Sequence, residues 1–132
     1  MKLLKVEYEF FDYEEPSTDA HELDRQIRLQ FADSPTLYVS WTWGRQRPDS
    51  EPYSIAYSES SHFEDGAARV IDASDSPLWS SHIGREVELT YVPSLSSDSE
   101  YQVPEMRSGT DRTYIYSLGL DRVGISHASP KL

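Results

Sequence analysis

The stretch Leu4-Lys5-Val6-Glu7-Tyr8-Glu9-Phe10 decides the fold class. Apolar residues stand at 4, 6, 8 and 10, and charged ones at 5, 7 and 9. Successive side chains of a β-strand point to opposite faces, so a strand collects the four apolar groups on one side. A helix would scatter the same residues around its axis. The period of two therefore predicts a half-buried strand whose other face is charged. On that face Glu7 and Glu9 read as solvent-facing, as do Glu86 and Glu88 further along, rather than as a pair of catalytic carboxylates.

The same alternation recurs along most of the chain. Ile27, Leu29 and Phe31 alternate with Arg28 and Gln30; Leu37, Val39, Trp41 and Trp43 alternate with Tyr38, Ser40 and Thr42. Tyr53, Ile55 and Tyr57 follow, then Ala68 and Val70, then Val87, Leu89 and Tyr91. Tyr101 and Val103, Tyr114 and Tyr116, and Val123 and Ile125 close the series. Eight or nine short strands rich in aromatic and β-branched residues predict an all-β domain. Long helical patterns are missing, which excludes βαβ units and points to antiparallel pairing. Closure removes exposed edges, so a barrel-like antiparallel domain is the expected architecture, with a two-layer sandwich as second choice.

The separators carry turn chemistry. Asp33-Ser34-Pro35 suits a tight connection, and Glu64-Asp65-Gly66 and Ser108-Gly109-Thr110-Asp111 suit hairpin turns. Ser76-Pro77-Leu78-Trp79-Ser80-Ser81-His82-Ile83-Gly84 offers a serine cap, a proline at the first helical position and a terminal glycine. That spelling predicts a short helical plug over 77–83, with Leu78 near His82 and Trp79 near Ile83. The residues from 1 to 126 are expected to form one β domain, and 127–132 a frayed tail.

Composition narrows the functional classes. The 132 residues contain no cysteine, which removes disulfides and thiolate chemistry and fits a reducing compartment. The opening Met1-Lys2-Leu3-Leu4-Lys5 meets charge too soon for a signal peptide, and no apolar run is long enough for a bilayer. A soluble, cytoplasmic protein is expected. The net charge of −11 is uneven, −8 over residues 1–66 and −3 over 67–132. Such acidity repels nucleic acid and anionic membranes and favours a basic partner. Asn is absent and Arg outnumbers Lys nine to three, as coding bias in a GC-rich bacterial genome produces.

Motifs with chemistry are few. No phosphate-cradling glycine loop, dinucleotide fingerprint or nucleophile elbow is present, and Ser80-Ser81-His82 is adjacency rather than a triad. His21 among Asp19, Glu22 and Asp24 lacks the spacing of a calcium loop. His62 and Glu64 share a face if their segment is extended, yet a metal would need further ligands. Tyr38, Arg45 and Arg47 lie where a strand ends, and aromatic and arginine residues anchor protein interfaces. The expected binding residues are thus Tyr38, Arg45, Arg47, His62 and Glu64, with no catalytic residue, metal or cofactor. The function expected is a non-enzymatic protein-binding module, of the type in which antitoxins and immunity proteins meet a basic protein. A small-ligand-binding β-barrel and a metal-dependent enzyme are the alternatives.

Overall fold

A computed structural model describes residues 1–11, 22–23, 25–41, 55–61, 63, 69–93, 102–119 and 122–127. Ten strands run through them: β1 (Leu3–Phe10), β2 (Glu22–Leu23), β3 (Gln26–Phe31), β4 (Leu37–Trp41), β5 (Ile55–Ser58), β6 (Arg69–Asp72), β7 (Glu88–Pro93), β8 (Gln102–Ser108), β9 (Asp111–Gly119) and β10 (Arg122–Ser126). They form two five-stranded sheets, ordered β5-β4-β3-β1-β6 and β2-β10-β9-β8-β7. Every ladder is antiparallel.

The barrel expectation is corrected. Among the described residues each sheet ends in two edge strands, β5 and β6 in one and β2 and β7 in the other, and the strands do not close on themselves. Closure needs a continuous ladder at a fixed stagger, and no ladder among the described residues joins the two sheets. The arrangement is sandwich-like, and one apolar cluster draws on both sheets. Val6, Tyr8, Phe10, Ile27, Leu29, Val39 and Trp41 face Val87, Met106, Ile115, Val123 and Ile125 in it. Each aliphatic side chain so buried contributes about 1.5–3 kcal/mol.

Two local departures shape this core. The register between β1 and β3 shifts between Leu3 and Lys5. That bulge lets Leu3 as well as Val6 point inward and turns Leu4 out, 49% exposed, against its place in the simple alternation. In β8, Pro104 pairs with Tyr91 of β7, while the ladder to β9 begins only at Glu105. The missing N–H of Pro104 thus falls where β9 asks for no bond.

The helical plug over 77–83 is also corrected. Ser76 to Arg85 forms consecutive turns, closed by Trp79 N–H to Ser76 O at 2.9 Å, His82 N–H to Trp79 O at 2.9 Å and Arg85 N–H to His82 O at 3.2 Å. These bonds span three residues, beside a single four-residue bond from Ser80 N–H to Ser76 O at 2.8 Å, and the three-residue winding brings every third side chain to the same side. Trp79 and His82 therefore both face inward and are fully buried, while Leu78 and Ile83 pack at the margin. The run stops at Gly84, whose φ of 79° suits glycine. It docks on β1 through Gly84 N–H to Leu3 O and Leu3 N–H to Arg85 O, at 2.7 and 3.1 Å. Trp79 Nε1–H donates to the Tyr8 hydroxyl at 2.6 Å inside the core. Burial pushes the Tyr8 phenol well above its ordinary pKa, so it stays protonated. No helix among the described residues is long and apolar enough to cross a membrane.

Candidate functional site

The charged face of β1 is not a solvent-facing one, which corrects the expectation for Glu7 and Glu9. Register places Glu7 opposite Arg28 and Glu9 opposite Gln26 on β3, with Lys5 opposite Gln30. Side chains directly across an antiparallel pair lie within reach of each other, so this pairing sets carboxylates against donors. Glu9 is 3% exposed and Glu7 only slightly more.

Glu9 is saturated with donors. Its Oε1 accepts from Arg25 Nε at 3.3 Å and Gln26 Nε2 at 3.0 Å, and its Oε2 from Arg28 Nε at 3.2 Å and Nη2 at 3.0 Å. Glu7 Oε1 accepts from Arg28 Nη1 at 3.4 Å and from the Gln30 amide, and its Oε2 lies 3.5 Å from Lys5 Nζ. For Arg28, burial works against the charged form. The Glu9 hydrogen bond and the charges of Glu9 and Glu7 outweigh it and raise the pKa above the ordinary arginine value. A buried carboxylate is tolerable only when its lone pairs are met in this way. With its acceptors filled, Glu9 is poorly placed to take a proton from a substrate.

Aromatic groups complete the cluster. The Arg25 guanidinium, 4% exposed, lies 4.3 Å from the Phe63 ring centroid and 5.4 Å from that of Phe11, and the two rings meet edge to face. Gln26 Nε2 also donates to Ser61 Oγ at 2.9 Å, whose hydroxyl donates to Phe63 O at 2.8 Å. The segment at 61–63 is thereby tied to the β1–β3 face.

Of the expected binding residues, Tyr38 is half-buried on β4, directly across from Arg28 and one strand from the carboxylates. Arg45, Arg47, His62 and Glu64 lie outside the described residues, as do Trp43 and the Glu64-Asp65-Gly66 turn. Ser61 and Phe63, which are described, meet Gln26 and Arg25. Sequence reasoning missed Arg25, Gln26, Arg28 and Gln30. The signal was present in Gln26-Ile27-Arg28-Leu29-Gln30, where donors occupy every second place as acids do in Glu7-Tyr8-Glu9. Glu88 was read correctly: it is exposed and paired with Arg107 at 2.6 Å.

A second buried polar group was also missed. His82 Nε2 lies 2.9 Å from Thr113 Oγ1, and Thr113 Oγ1 donates to Leu78 O at 2.7 Å. Thr113 must then accept, which puts the proton on Nε2 and leaves Nδ1 to accept from Ser108 Oγ–H at 2.6 Å. A serine donating to a histidine is the pattern of an activated nucleophile. Here His82 is fully buried and Ser108 almost so, which leaves a substrate no approach. The group instead fastens the turn segment to the β8–β9 hairpin. Burial lowers the His82 pKa, with Asp111 opposing and His127 and Arg85 assisting. Among the described residues no three His, Asp or Glu side chains converge as a metal site.

Fold and site together define a sandwich-like, all-antiparallel β protein whose first sheet carries a buried carboxylate–arginine network. No protein-family model, curated protein or solved structure matches the chain.

Proposed function

We propose that this is a non-enzymatic protein-binding module whose partner is a basic protein, in the manner of antitoxins and immunity proteins. One observation carries the proposal: four of the described arginines turn onto the chain's own carboxylates. Arg25 and Arg28 are held by Glu9 and Glu7, Arg85 by Asp111 and Arg107 by Glu88. These four cations are thus engaged by the chain's own acids, and the chain as a whole carries a net charge of −11. Complementary charge of this size steers association and lends it strong salt dependence. The saturated network supports the non-enzymatic part, since neither Glu9 nor Glu7 has the open geometry of an acid or base. Tyr38, half-buried beside Arg28, is an anchor of the type that interfaces favour.

Affinity capture from cells that make the protein, followed by titration of the purified partner, tests this. A basic protein bound one to one, with affinity falling as salt rises, is the expected result. Recovery of no stoichiometric protein, or of an acidic one whose binding ignores salt, refutes it.

A further inference from the structure

The β8–β9 hairpin turns through Gly109 and Thr110, with Gly109 at a φ of 59° as the primed two-residue turns require. Beside it lies a cleft of about 380 Å³ lined by Gly109, Thr110, Asp111, Arg112, Tyr114 and His127. That volume falls at the small end of ligand pockets.

The charges around the cleft are unbalanced in an unusual way. Arg112 of β9 stands directly opposite Arg107 of β8, and like charges so placed repel. Arg107 has its own counter-ions, Glu88 at 2.6 Å and Glu105 at 3.7 Å. Arg112 has neither ion pair nor hydrogen bond among the described residues, and its Nη1 is buried without a partner. The acid in the cleft does not serve it, because Asp111 Oδ2 is taken by Arg85 Nη1 at 3.1 Å. Arg85 itself crowds the turn, since a Cβ on Gly109 would stand 2.6 Å from its Nη2. Burial and the neighbouring Glu105 carboxylate hold the Tyr114 phenol protonated, and its ring serves as a wall. Among the described residues, then, a chain of net charge −11 holds a guanidinium without a counter-ion at this hairpin, with Arg107 beside it.

We propose that this cleft is a binding site for a small oxyanion, a carboxylate or a phosphate. Arg112 turns its guanidinium from the shielded position into the cleft and offers the ligand two parallel N–H donors. The Thr110 hydroxyl and the backbone at the turn lie within the same cleft. An unmet buried donor is costly, and the anion relieves that cost together with the repulsion from Arg107. The site rests on Arg112, not on the outward acidity that attracts a basic protein, so either proposal can fail alone.

Amide and arginine side-chain NMR spectra of the full chain, titrated with sodium phosphate and separately with sodium acetate at constant ionic strength, test the proposal. Saturable shifts confined to Gly109–Tyr114, His127 and the Arg112 Nε–H are expected with one of them. Phosphate acting alone assigns a phosphate-type ligand, and acetate acting alone a carboxylate. Arg112→Gln should weaken binding at least tenfold without lowering the melting temperature of the free protein, because Arg112 has no hydrogen bond or ion pair among the described residues to lose. Arg112→Lys, which keeps the charge and loses the fork, should weaken it as well and covers the case of a misfolded glutamine variant. Shifts that never saturate with either anion overturn the proposal, as does wild-type affinity in both variants.

Discussion

Glu9→Gln isolates the effect of the buried network. The substitution keeps the shape of the side chain and removes the charge that Arg25, at 4% exposure, and the partly covered Arg28 both contact. One amide oxygen remains to accept, while the new NH₂ faces donors and can only repel them. Breaking a buried ion pair from one side costs about 3–5 kcal/mol, since the partner charge is left in a poor environment. Arg28 retains some solvent, which places the expected loss near the lower end, about 3 kcal/mol. For a chain of this size that corresponds to a fall in melting temperature of roughly 10 °C. The control is Glu88→Gln, which breaks a pair whose side chains are 68% and 41% exposed. Exposed pairs contribute about 0–1 kcal/mol and weaken with salt, whereas the buried network should be almost indifferent to salt. Urea unfolding of the three proteins at low and high sodium chloride gives both comparisons. If Glu9→Gln lies within 1 kcal/mol of wild type (about the ceiling for an exposed pair), the network does not carry the energy assigned to it here.

Two further perturbations probe the turn segment. Trp79→Phe removes the indole N–H that Tyr8 accepts and should cost about 2–4 kcal/mol in urea unfolding. Tyr8→Phe should cost about 1–3 kcal/mol, and the double variant less than the sum; strict additivity would show that the bond contributes nothing. His82 is neutral when folded because burial lowers its pKa below the ordinary 6.5. The unfolded chain therefore takes up a proton first, so stability is full above that value and falls as pH drops toward the folded one. Urea midpoints between pH 7.5 and 5.5 should decline in wild type and decline less in His82→Gln; equal slopes would remove His82 as the cause.

The strands were legible because alternation is a local property of β1, β3, β4 and the rest. The two faces of β1 were only half legible. Whether Glu9 meets water depends on what lies across the ladder, and that is decided by the pairing of β1 with β3, not by either segment alone. The turn segment misled for a related reason. Ser76, Pro77 and Gly84 are common to helices and to turn runs, and what favours the turns is tertiary: Trp79 must reach Tyr8 while His82 reaches Ser108. Closure into a barrel was inferred from the general cost of open edges, whereas the described strands pair into two separate sheets. Arg112 offered no sequence signal, because its lack of a partner among the described residues depends on the register that sets Arg107 opposite it.

The position of β1 has a consequence for how the chain reaches its native state. Strand β1 is flanked by β3 on one side and by β6, made later, on the other, and its Tyr8 waits for a partner 71 residues away. Local hairpins such as β8–β9 can form as soon as they are made, but β1 must remain unpaired on one edge until β6 arrives. Folding dominated by such distant pairings is slow and leaves a sticky intermediate. The charged residues that later become the buried network, Glu7, Glu9 and Lys5, then serve in the nascent chain as guards on that open strand.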